Sequence, residues 1–212
     1  MKLQKSGVIG SIGMAILVVI IMVIVFFIFP RHGLREPSDW YNTSNVLNAM
    51  SVSPDSFFVL SLTSILSSIA FILIVIGIKE RITNSEQNLI QVMTIAVSVT
   101  SALWFAAGAI GIIGWPWIVH VKDLSALGVM NAIYYSLVFC GDSAAGWVVL
   151  IIGWSGIKTK SLPKALSYFA IFKAIIMILE VTFQPFITSV IGMSLGIIFF
   201  PWLAITLSRS KN

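Results

Sequence analysis

From Gly7 to Phe29 the chain runs 23 residues without a charged side chain and stops at Pro30-Arg31. A bilayer's apolar core is about 30 Å thick, so a helix rising about 1.5 Å per residue crosses it with roughly 20 apolar residues. Five further runs of this kind follow: about 57–78, 89–114, 130–153 (or from an earlier start near Leu124), 165–186 and 187–207. The predicted fold class is therefore all-α, a single polytopic membrane bundle of six transmembrane helices over residues 1–212. The third span ends where Trp115-Pro116-Trp117 breaks it, and a tight turn at Pro185 separates the fifth from the sixth. The remaining composition agrees. Hydrophobic residues make up 58% of the chain and charged ones 10%, against about 25% charged in soluble domains. That excludes a nucleic-acid-binding module, a soluble enzyme and a secreted disulfide scaffold. A single cysteine, Cys140, leaves no intrachain disulfide to form.

Charge placement predicts orientation. With the N-terminus inside, the inner segments hold Lys2, Lys5, Lys79, Arg81, Lys158, Lys160, Lys164, Arg209 and Lys211, nine of the 13 basic residues. The outer segments hold Arg31, Arg35 and Lys122, and Lys173 falls inside a span. Cytoplasmic loops carry the excess of Lys and Arg, so both termini are expected in the cytoplasm of a multi-pass cell-membrane protein, most naturally a prokaryotic inner-membrane one. The first run is expected to be a retained anchor, because it is longer than a signal-peptide core and no small-residue cleavage site precedes Arg31.

The outer segment, residues 31–56, is the longest polar stretch. Within it Val46, Leu47 and Met50 share one helical face behind candidate caps at Thr43 and Ser44. Either a short interfacial helix or a loop packed over the helix ends fits this pattern. Asn42-Thr43-Ser44 matches a glycosylation sequon. Gly111-Ile-Ile-Gly-Trp-Pro116-Trp117 resembles Gly196-Ile-Ile-Phe-Phe-Pro201-Trp202, a faint internal repeat of the kind that inverted-repeat transporters carry.

An ionisable side chain inside a span costs about 2.5–3.5 kcal/mol on insertion scales, so it needs a partner or a purpose. Asp142 in the fourth span and Lys173 and Glu180 in the fifth are the candidates. Folding the two spans as a hairpin brings Asp142 within about three residues of Lys173, roughly 4.5 Å along the axis, and an ion pair near the midplane is expected. Asn131, Tyr135 and Asp142 lie on one stripe, and Lys173, Glu180 and Gln184 on another. The two stripes form either a structural latch or the wall of a hydrated path. Two acids and one lysine leave one net negative charge. Thr188, Gly192 and Gly196 make a small-residue face on the last span, and Gly141 with Ala145 makes another on the fourth, both suited to close helix approach. No catalytic set, cofactor motif or metal-ligand spacing is present: His32 and His120 stand apart and at the outer boundary, so no cofactor and no metal is expected.

Gly146-Trp-Val-Val-Leu-Ile-Ile-Gly153, followed by Ser161-Leu-Pro-Lys164-Ala-Leu166, resembles a six-span prokaryotic integral membrane family known only as a domain of unknown function. There a glycine-containing helix precedes a short basic loop, Leu-Pro-Arg/Lys and a further helix. The resemblance covers about residues 140–207 and implies six spans. It departs at Ala165-Leu166, where the family has Leu-Gly, and Lys173 has no counterpart. It carries over no activity. The sequence thus points to a non-enzymatic membrane protein, an accessory or assembly subunit packing in the lipid bilayer against other membrane proteins or a second copy, with no nucleic-acid partner. The alternative is a small transporter or proton-coupled carrier using Asp142, Lys173 and Glu180. Whether those groups face a cavity or a dry helix contact separates the two.

Overall fold

The computed structural model describes residues 2–82, 87–182 and 185–209. Its elements are all helical. Seven α-helices follow in chain order: α1 (Lys2–Val23), α2 (Thr43–Val52), α3 (Pro54–Lys79), α4 (Gln87–Val121), α5 (Leu124–Thr159), α6 (Lys164–Leu179) and α7 (Pro185–Ser208). The first continues through a π turn, Ile24–Ile28, and a 3-10 turn, Phe29–His32, ending at Gly33 with φ +92°. Only glycine adopts that backbone without steric cost. Five segments are long and apolar enough to cross a membrane: Gln4–His32, Pro54–Lys79, Gln87–Val121, Leu124–Thr159 and Ile187–Ser208. The outward side chains on these helices, such as Ile95, Ile113 and Val129, are apolar and exposed, which is compatible with a surface facing lipid.

Several boundaries differ from the sequence reading. Pro116 does not end α4. It removes one backbone donor, but Trp115 and Ile118 on either side are 3% and 2% exposed, and their burial holds one helix through the proline. Asp123 starts α5 at Leu124, the earlier of the two starts the sequence allowed, by accepting from the Ser125 and Ala126 amides at 2.9 and 3.0 Å. At the other junction α6 stops at Leu179, short of Phe186, and is 16 residues long. The chain turns from Glu180 to Thr182, with Thr182 N–H bonded to the Leu179 carbonyl at 3.0 Å. A proline disfavours the helical conformation of its predecessor, so the helix must end upstream of Pro185.

Each long helix packs against its neighbour in the chain, α1 on α3, then α4, α5, α6 and α7, and α7 returns onto α1. The six close a ring. Where helices touch, glycines admit backbone contact. A Cβ on Gly10 would lie 2.5 Å from the Ala70 carbonyl oxygen of α3, and one on Gly141 would lie 2.6 Å from the Trp104 ring. The small-residue face expected on α7 behaves differently, because a Cβ on Gly192 would meet nothing nearer than Met177 at 3.7 Å. Ala145, by contrast, is fully buried as expected.

The ring is tied at both ends. Where the termini meet, the Arg81 guanidinium donates to the Leu207 carbonyl at 3.1 Å and to the Arg209 carbonyl, and Gln4 donates to Leu207 as well. These bonds satisfy carbonyls that the end of α7 leaves unpaired. At the opposite end, rings run in contact from Phe29 to Phe57, Trp115, Tyr134 and Tyr135, with centroids 4.8, 5.1, 4.7 and 5.3 Å apart. The outer segment packs down here. Its helix α2 buries Val46, Ala49 and Met50 against this cluster, so it packs over the helix ends. Asn42 is its cap, accepting from the Ser44 and Asn45 amides, ahead of the expected Thr43 and Ser44.

Candidate functional site

The apolar core divides into two clusters, one toward the termini and one under the outer segment. Between them lies a partly open cavity of about 200 Å³ to which all six long helices contribute. Met14 and Val18 come from α1, Ser64, Ser67 and Phe71 from α3, and Trp104 from α4. Tyr135, Phe139 and Asp142 come from α5, Lys173 from α6, Ser189, Gly192 and Phe200 from α7, and Glu180 from the turn between α6 and α7. Trp40 of the outer segment reaches the same space.

Helical geometry explains the convergence on α5. Tyr135 and Asp142 are two turns apart, with Val138 and Phe139 between them on the same face, and all four line the cavity. Tyr135 stacks on Phe139 with centroids 6.0 Å apart and meets Trp40 edge-on at 6.1 Å. Asn131 begins this stripe in the sequence but is buried at 7% outside the cavity. On α6 the stripe begins at Lys173. Glu180 continues it only because the helix ends there and the turn keeps the side chain inward. Gln184 lies outside the described residues.

Asp142, Lys173 and Glu180 share one cavity, but the expected direct ion pair is replaced by other bonds. The Asp142 carboxylate accepts from the indole N–H of Trp104 at 2.9 Å. The Lys173 ammonium donates to the Gly192 carbonyl at 2.8 Å and stands 5.7 Å from the centroid of the Phe200 ring. Hairpin arithmetic placed the residues at one level correctly. It could not see that α7 passes close enough to α6 to offer Lys173 a carbonyl. Gly192, expected as a packing residue, is therefore also the lysine's acceptor.

Glu180 is the most enclosed of the three, at 1% exposure, with Lys173 at 2%. Asp142 and Ser189 hydrogen-bond its carboxyl, yet Glu180 Oε1 is buried without a partner among the described residues. An unpaired buried carboxylate oxygen is costly. Asp142 keeps accessible surface, which the cavity supplies. Lys173 cancels one of the two acidic charges, leaving the site one negative charge when both acids are ionised.

Sequence reasoning missed Trp104, Ser189 and Phe200. Trp104 had a usable signal. A tryptophan in mid-span has an N–H that must find an acceptor away from water, and Asp142 was the nearest acid to offer one. Ser189 and Phe200 carried none, because serines and phenylalanines are common in spans. Ser143 does not serve the cavity: its hydroxyl donates to the Ile178 carbonyl at 3.3 Å, and this sets the end of α6 against the middle of α5. Thr188 is half-buried on α7 and Gly196 is buried beside Val18 of α1. The search for relatives adds nothing to this geometry: no family model, no curated protein and no solved structure matches the chain.

Proposed function

We propose that the protein is a small six-helix carrier in the cell membrane, with both termini cytoplasmic and the central cavity as its solute site. The cavity carries this reading. Asp142, Lys173 and Glu180 converge on one space of about 200 Å³ instead of closing into a dry helix contact. A largely apolar wall carrying these few polar groups, with room of this size, admits a small organic molecule; an apolar cavity of about 150 Å³ already accepts benzene. In this reading α6 is the fifth of the six spans, shortened so that its turn brings Glu180 to the site. The resemblance of residues 140–207 to a six-span family and the inner excess of basic residues support the same topology. The assembly-subunit reading drew on the lack of a catalytic set or cofactor motif and on small-residue faces, among them that of α7. There Gly192 is turned to the cavity and Gly196 is covered by Val18 and Phe200, so that face is not free for another protein.

A carrier exposes its cavity to each side of the membrane in turn. Ser67 lines the cavity from α3, and Cys140 is exposed, so Ser67→Cys in a Cys140→Ser background reports on access. Reaction of Ser67→Cys with a small impermeant thiol reagent in both right-side-out and inverted vesicles is the expected result. Reaction from one side only, or from neither, would sink the carrier reading.

A further inference from the structure

We infer that the solute is a lipophilic monocation, an organic ammonium with a compact apolar body, held between the Asp142–Glu180 acids and the aromatic wall of the cavity. The inference rests on the carrier reading and deepens it by naming the substrate class.

Four observations converge on a positive charge. The acids outnumber the lysine by one, so the site takes up one further positive charge, either a proton shared between the hydrogen-bonded Asp142 and Glu180 carboxyls or a ligand cation in its place. Glu180 lines the cavity, and its Oε1 is buried with no hydrogen-bond partner among the described residues, so it leaves beside the cavity an acceptor that those residues do not use. Lys173 does not compete as an anion receptor, because its ammonium is engaged by the Gly192 carbonyl and faces Phe200. The remaining wall is aromatic: Phe71, Tyr134, Tyr135 and Phe139 surround the same space. Aromatic faces carry the negative part of the ring quadrupole and attract ammonium groups, most strongly where water is excluded. The contact of Lys173 with Phe200 shows that this wall already accommodates a cation.

An apolar body follows from what fills the rest of the wall. Val25 of the π turn, Val138, Val190 and Met193 present only hydrocarbon and a thioether. Small-molecule sites combine such surfaces with a few placed polar groups, the former supplying affinity and the latter orientation. A hydrated inorganic ion would strand this surface against water. A neutral hydrocarbon would leave Glu180 Oε1 unpaired. An anion would meet both acids.

The test uses the full-length protein purified in detergent and three probes of one shape: benzyltrimethylammonium, its uncharged carbon isostere neopentylbenzene, and the anion benzenesulfonate. Binding is read by calorimetry and by the fluorescence of Trp104 and Trp40, which line the cavity. Saturable binding of the ammonium is expected, at least about tenfold tighter than either other probe, since one well-placed charge interaction of about 1.4 kcal/mol is tenfold. Asp142→Asn should weaken it by a similar factor, and Lys173→Met should strengthen it by removing the repelling charge. A generally loosened fold would weaken both. Equal binding of the isostere, preferred binding of the sulfonate, or no saturable binding of the ammonium overturns the cation assignment. The wild-type series decides this even if a variant fails to fold. Two-sided labelling of Ser67→Cys is independent of these probes, so failure of the substrate class and failure of the carrier reading are told apart.

Discussion

Trp104 and Asp142 are joined by a hydrogen bond of 2.9 Å that links α4 to α5 near the middle of both helices. Phe71 of α3 packs on the same indole, with ring centroids 5.4 Å apart, and a Cβ on Gly141 would collide with it. The tryptophan, itself part of the cavity lining, thus fixes the carboxylate at the wall. Hydrogen bonds to charged groups contribute about 1.5–3 kcal/mol. Trp104→Phe keeps the ring packing and removes the donor, and it should lower stability in detergent by about that amount. In a double-mutant cycle with Asp142→Asn, the two should couple by at least about 1 kcal/mol. Additive losses would show that the bond contributes nothing of its own.

The glycines divide into tight and loose positions. Gly10→Leu forces α1 away from the Ala70 carbonyl, and overpacking of this kind costs about 1–3 kcal/mol. Gly192→Ala meets only Met177 at an ordinary contact distance and should change stability by less than about 0.5 kcal/mol. Thermal denaturation of the two variants checks the contrast. Equal effects would mean that helix contacts are not set where the backbones approach.

Arg81 ties the end of α3 to the end of α7 through the Leu207 and Arg209 carbonyls. Arg81→Met keeps the apolar stem and removes these donors. The C-terminal end of α7 should then be cut faster by protease in detergent, with the rest of the ring intact. Unchanged cleavage would assign the residue to membrane orientation alone.

In the outer segment, Asp39 accepts from the Arg35 and Glu36 amides, both at 2.8 Å, and from Asn45 at 3.1 Å. These backbone bonds favour the carboxylate and hold Asp39 below the usual carboxylate range. The sign follows directly. The ordering it provides is fully present above the unfolded value near pH 4 and is lost as pH falls through the lowered folded value. Amide-exchange protection factors at Arg35 and Glu36 should therefore drop on acidification below about pH 4, and Asp39→Asn should abolish that pH dependence. Identical profiles for the wild type and Asp39→Asn would remove Asp39 as the cause.

Orientation has its own test. Lys122 and Lys160 are exposed residues with positive φ, at the ends of α4 and α5. The charge bias puts Lys122 outside and Lys160 inside. In a Cys140→Ser background, Lys122→Cys should react with an impermeant reagent on intact cells. Lys160→Cys should react only after permeabilisation, and the reverse pattern would invert the topology.

Hydropathy and turn chemistry along the chain were enough to determine the helical segments. A spanning segment satisfies its backbone hydrogen bonds within itself, so its existence is a local property, legible in runs such as Gly7–Phe29 or Pro54–Lys79. The face shared by Tyr135 and Asp142 was legible for the same reason, since helical periodicity is local too. What the sequence could not determine is how each helix is turned and staggered against the next. Pro116 reads as a break, and only burial of Trp115 and Ile118 against other helices keeps α4 whole. Lys173 and Asp142 read as a pair by hairpin geometry, and only the return of α7 onto α1, carrying the Gly192 carbonyl past α6, gives the lysine a nearer partner. Glu180 reads as a residue inside a span, and tertiary structure makes it the turn that closes the site. Contacts between helices depend on side chains distant in sequence. The cavity, which is the space those contacts leave unfilled, was decided by the tertiary structure alone.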